Sequence, residues 1–89
     1  MTRCCPFINA AAEYPDPESA VRQVVALHRT RFRTTLGAVA RAAGLPNPEA
    51  VAESLVLLRD AALVGGYLDG VAVVRPAFIR TARLVAGID

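Results

Sequence analysis

The chain has 89 residues, 54% of them hydrophobic, with eight acids, ten basic residues that are all arginine, and a formal net charge of +2. That length makes one small domain, residues 1–89, and the charge is too close to balance for nucleic-acid binding by bulk electrostatics. No run approaches the ~20 uncharged apolar residues of a membrane span, and the start MTRCCP lacks the apolar core of a signal peptide; we therefore expect a cytoplasmic protein with reduced thiols, and the Arg-, Ala-, Val- and Gly-rich composition suits a GC-rich bacterial genome.

Four helical segments are predicted in chain order. The first is short, about residues 6–14, with Pro6 at its start. Pro15 and Pro17 end it and open a tight corner. The second is long, about residues 17–43, with Glu18 in its first turn, where a negative charge suits the helix dipole. Val21, Val25, His28, Phe32, Leu36, Val39 and Ala43 step by three or four and make one stripe. Gly44 followed by Pro46 is the expected stop.

The third helix covers about residues 48–68, with Asn47 as N-cap, Pro48 at the first helical position and Asp69-Gly70 as the exit. Val51, Leu55, Leu58 and Ala62 form one apolar stripe; Val56, Leu63 and Gly66 form a second. A helix apolar on two faces is sandwiched between others. Gly65 and Gly66 are tolerable where another backbone comes close. A β-hairpin folding on Asp69-Gly70 is the alternative for this region, disfavoured because an isolated two-stranded hairpin is marginal in water. The fourth helix covers about residues 75–86, with Phe78, Ala82 and Val85 on one face and Arg75, Arg80 and Arg83 elsewhere.

The fold class is thus all-α, a bundle of about four helices. Counting Gly and omitting Tyr, the apolar share is roughly 58%, against about 45–50% in ordinary soluble domains. A small domain has proportionally more surface to cover, so the excess points to a face buried against a second subunit. Length argues the same way. A 27-residue helix is about 40 Å long, whereas a compact chain of this size has a radius of gyration near 12 Å.

The segment around Gly44 has the look of a helix-turn-helix, but the helix after it opens with Glu49, Ala50, Ala52 and Glu53. Two carboxylates there would repel phosphates, so no direct nucleic-acid contact is expected. Arg29 and Arg33 share a helix face, with Arg22 at seven residues' distance, while Arg31 does not; a solvated basic edge is the default reading, and a patch steering an acidic partner is the other.

Nothing in the sequence supplies a catalytic set. There is no nucleophile–base pair, no paired carboxylates and no Gly-rich phosphate loop. One histidine and the adjacent Cys4 and Cys5 give no metal-ligand spacing. No enzyme activity, metal or cofactor is expected.

Residues 5–18, CPFINAAAEYPDPE, then Val21-Arg22, His28-Arg29 and residues 40–58, ARAAGLPNPEAVAESLVLL, resemble the C-terminal domain of TetR/AcrR-family transcriptional regulators over roughly residues 4–87. The CPF-x-NAAAE phrase is the more specific part; the rest is helical pattern. The resemblance implies a domain that binds a small effector and dimerises through its last two helices, with the helix-turn-helix domain absent. Candidate interface residues on those helices are Val56, Leu63, Gly66, Tyr67, Phe78, Ala82 and Val85. Candidate effector-pocket residues are Phe7, His28, Phe32, Leu55 and Arg59, although Phe7 and Phe32 are core by default, a buried histidine satisfied by a neighbour is the default for His28, and Arg59 suits a pair with Glu13 or Asp16 or an interface position. The expected function is a stand-alone dimerisation and effector-binding module without DNA binding of its own. It would form a homodimer, or a heteromer with a full-length regulator whose reading head it withholds. The alternative is a small interaction protein, such as the antitoxin-like half of a two-protein pair.

Overall fold

The computed structural model describes residues 6–88, with side chains described from Asn9 onward. They form four helices and no strand: α1 Pro6–Glu13, α2 Ala20–Ala42, α3 Pro48–Asp69 and α4 Val71–Ala86. The chain is all-α, as expected, and the β-hairpin alternative at Asp69-Gly70 is excluded.

The bundle is open. α1 packs on α2, α2 on α3 and α3 on α4, while α2 and α4 lie on opposite sides of α3 without substantial packing between them. The Cα envelope is a slab of 39 × 29 × 13 Å. Its radius of gyration, 14.5 Å, exceeds the roughly 12 Å of a compact chain of this length. A row of helices encloses little: the buried apolar residues are Val25, Ala40, Ala52 and Val56.

The α2–α3 crossing uses small residues. Gly37 and Ala40 of α2 are buried, and a methyl group added at Gly37 would stand 3.9 Å from the Cβ of Ala52. Small side chains at a crossing let two helix axes approach closely. This moves the predicted stripe on α2. Val25 is buried, and Val21, His28, Phe32 and Leu36 are half-buried, but Val39 is 61% exposed and Ala43 is exposed. At its C-terminal end α2 turns Gly37 and Ala40 toward α3 instead, because small residues rather than large ones fit that crossing.

The helix ends differ from expectation in three places. α2 starts at Ala20, not Pro17. Ser19 is its N-cap, with Oγ accepting from the Arg22 N–H at 3.1 Å, and Asp16 closes the preceding turn by accepting from the Glu18 N–H at 3.0 Å. Glu18 therefore lies before the helix. The expected side-chain cap by Asn47 is absent: Asn47 sits at φ 50°, ψ 58° and makes no side-chain cap hydrogen bond. Its carbonyl instead accepts from the Val51 N–H at 3.0 Å. Its role is to adopt the left-handed conformation, which Asn tolerates better than most residues.

The largest difference is at α4, which begins at Val71 rather than Arg75 and carries Pro76 inside it. The β-branched run Val71-Ala72-Val73-Val74 has modest helix propensity, and proline disfavours the helix before it. Tertiary packing overrides both. Val74 seats a methyl on α3, 3.2 Å from where a Cβ at Gly65 would be. Gly70 alone joins the two helices, at φ 92°, ψ 150°, a conformation essentially restricted to glycine.

Candidate functional site

α3 is apolar on more sides than its two neighbours can cover. At 3.6 residues per turn, Ala52, Val56, Asp60 and Leu63 face α2, while Leu58, Ala62 and Gly65 face α4. A third stripe remains: Leu57, Ala61, Val64 and Leu68, at i, i+4, i+7 and i+11. All four are exposed, Leu57 by 72%, Val64 by 42% and Leu68 by 70%. α4 carries a shorter stripe of Val73, Ala77 and Leu84, interrupted at i+7 by Arg80, and Ile88 follows beyond the helix end at Gly87; Val73 is 64%, Leu84 75% and Ile88 53% exposed.

The two stripes lie on the same face of the slab. Ala61 of the first and Val73 and Ala77 of the second line one groove of about 300 Å³ that runs between α3 and α4. Leu84 of α4 and Ile88 beyond its end lie beside Pro76, Ile79, Arg80 and Arg83. Toward α2 the same face turns polar. Arg33, Thr34, Arg41, Glu49 and Glu53 line a second groove, across which Arg41 pairs with Glu49.

The candidate interface residues read from sequence fall on both sides of this boundary. Val56 is 3% exposed in the single subunit and belongs to its core, so its side chain has little left to offer a partner. Leu63, Gly66, Phe78, Ala82 and Val85 are half-buried, and Tyr67 is 53% exposed. The Leu57 and Leu84 stripes were missed. Their periodicity is plain in the sequence, but a helix apolar all round gives no sign of which faces its own subunit covers.

Of the candidate pocket residues, His28, Phe32, Leu55 and Arg59 lie among the residues whose side chains are described, and none of them lines the grooves above. The Phe7 side chain lies outside the described residues, as do Cys4 and Cys5. His28 and Leu55 are half-buried. Phe32 and Arg59 do meet: the guanidinium carbon of Arg59 stands 4.8 Å from the Phe32 ring centroid, so the two fill space against each other. Arg59 thus reaches neither Glu13 nor Asp16. Its neighbour Asp60 is held by Arg29 through two hydrogen bonds of 3.1 and 2.7 Å. Arg29 is therefore part of the α2–α3 contact and not of a solvated edge. Arg22 is also engaged, donating to the Pro15 carbonyl at 2.9 Å, whereas Arg31 is exposed.

Among the described residues no group of three or more His, Cys, Asp or Glu side chains could hold a metal ion. Among the described residues no helix is long and apolar enough to cross a membrane. Compared with protein-family models, curated proteins and solved structures, the chain matches none of them.

Proposed function

We propose that this chain is a homodimerising module that resembles the regulatory domain of TetR/AcrR-type regulators and acts by pairing rather than by reading DNA. The observation that carries the reading is the uncovered apolar face built from Leu57, Ala61, Val64 and Leu68 of α3, Val73, Ala77 and Leu84 of α4, and Ile88 just past its end. Stripes of this kind on two adjacent antiparallel helices are half of a four-helix bundle, and a second copy supplies the other half.

Area supports it. The chain exposes 6245 Å², while a compact monomer of its mass exposes about 5,000 Å². The difference, roughly 1,200 Å², is spread over the whole open row of helices, and it leaves room for the ~800 Å² that each partner contributes to a standard interface. At about 25 cal/mol per Å² of apolar surface, leaving such a face wetted is costly for a domain with so few buried side chains.

The test is the mass in solution, by size-exclusion chromatography with light scattering, of the wild-type chain and of Leu57→Glu. The reading expects a dimer for the first and a folded monomer, by circular dichroism, for the second. A helical wild-type monomer at high micromolar concentration overturns it. The interaction-protein alternative predicts instead that the chain stays monomeric or poorly folded until an unlike partner is added. A full-length regulator as heteromeric partner, and an effector, would both act through this same paired form.

A further inference from the structure

The homodimer proposed above leaves open how the two copies are turned, and the charges on the slab decide it. We infer that α3 of each copy lies over the partner's α4, about a twofold axis running along the helices, with Glu53 of one copy meeting Arg80 and Arg83 of the other. This inference rests on the homodimer reading and goes beyond it by fixing the pairing.

The argument starts from the charges that the fold has not already paired. On α3, Asp60 is held by Arg29, Arg59 covers Phe32, and Glu49 pairs with Arg41. Glu53 and Asp69 are exposed and have no ion pair among the described residues; Asp69 lies at the Gly70 end of the helix, away from Arg80 and Arg83. α4 carries Arg75, Arg80 and Arg83 and no acid; all three are exposed and unpaired among the described residues. An acidic helix beside a basic one, each with free charges, can be set on a copy in two ways. With the twofold across the helices, α4 lies on the partner's α4 and arginines face arginines. With the twofold along the helices, α4 lies under the partner's α3 and opposite charges meet. Like charges placed across an interface are penalised, and complementary ones fix its orientation.

Position agrees with charge. Gly65 stands opposite Val74, so counting away along the antiparallel pair sets Glu53 level with Ala86. A twofold along the helices keeps levels. The partner's Arg83 is then three residues away along the axis, about 4.5 Å, and the partner's Arg80 about 9 Å. Lateral placement fits too. Glu53 lies on the flank of α3 toward α2, where it lines the polar groove. Arg80 and Arg83 line a groove formed by residues 76–88 alone, without contribution from α3. Stacking one slab on the other about that axis brings these two outer flanks together, on both sides of the apolar centre.

The test is charge reversal read by analytical ultracentrifugation, with thermal unfolding to confirm that each variant folds. Glu53→Arg alone, and Arg80→Glu with Arg83→Glu, should each weaken the dimer at least tenfold. The three substitutions combined in one chain should restore the wild-type dissociation constant to within about threefold. The losses should shrink in 1 M salt, where the Debye length falls to about 3 Å. A dimer left unchanged or strengthened by the arginine reversal, or a triple variant as weak as its parents, overturns the pairing while the homodimer stands. A wild-type monomer overturns the homodimer itself.

Discussion

The guanidinium of Arg59 covers the ring of Phe32 one residue before Asp60 takes both terminal nitrogens of Arg29. Consecutive residues of α3 thus grip α2 by two different interactions, three residues apart on that helix. Asp60 and Arg29 keep 24% and 34% of their side chains exposed, so their pair is worth well under a buried one, about 0.5–1 kcal/mol. The Arg59–Phe32 contact is worth about as much. Arg59→Lys should keep the charge but lose the stacked plane, lowering stability by about 0.5 kcal/mol. Arg59→Ala should cost about 1 kcal/mol because the aliphatic stem also goes. A double-mutant cycle of Arg59→Ala with Phe32→Leu, followed by urea unfolding, should show coupling between the two sites; strict additivity would show that no direct contact exists.

Gly65 and Gly66 are neighbours in sequence and opposites in tolerance. A Cβ at Gly65 meets a Val74 methyl at 3.2 Å, while one at Gly66 meets nothing within 4 Å. Alanine gains about 1 kcal/mol of helix propensity over glycine at either position. Gly66→Ala should therefore raise the unfolding midpoint. Gly65→Ala should leave it unchanged or lower it, since valine has little rotamer freedom with which to yield in a helix. Thermal scans of the two variants check the contrast.

Asn47 offers a substitution that separates conformation from capping. It has φ 50° and no side-chain cap hydrogen bond. If its role is to occupy the left-handed region, Asn47→Gly should be neutral or mildly stabilising, and Asn47→Ala should cost about 1 kcal/mol. A side-chain cap would instead make Asn47→Gly destabilising by a few tenths of a kcal/mol.

Val56 and Leu57 are adjacent on α3 but have different surroundings, at 3% and 72% exposed. Val56→Ala opens a void in the small core and should cost about 1–3 kcal/mol at any protein concentration. Leu57→Ala should leave the single subunit nearly unaffected and weaken association instead. Its effect on the unfolding midpoint should then vary with protein concentration, which a dilution series measures.

The helices were largely legible because their signals are local. Pro48, Gly44, Gly70 and the three-to-four spacing of Val21, Val25, His28 and Phe32 each act within a turn or two. The start of α4 was not legible, because the valine-rich run and Pro76 argue against a helix and only packing on α3, through Val74 among others, outweighs them. The site was half legible. That α3 carries more apolar surface than its own chain covers follows from composition and periodicity. Which surface stays uncovered depends on α2 and α4 lying on opposite sides of it, and no single-helix pattern encodes that arrangement. The pairing of Asp60 with Arg29 was hidden for the same reason: it joins residues 31 positions apart.

Among the described residues each helix packs chiefly against the one before or after it in the chain, and this has a kinetic consequence. Contacts between sequence neighbours close short loops, so little chain entropy is lost before each contact forms, and such topologies fold in microseconds to milliseconds. The α3–α4 hairpin, joined by Gly70 alone, can assemble as soon as its own residues leave the ribosome, without waiting for any long-range contact. In the isolated subunit, unfolding should begin at either end of the row, with amide exchange fastest in α1 and α4 and slowest at the Gly37–Ala52 crossing, whereas pairing should protect α4 in the dimer.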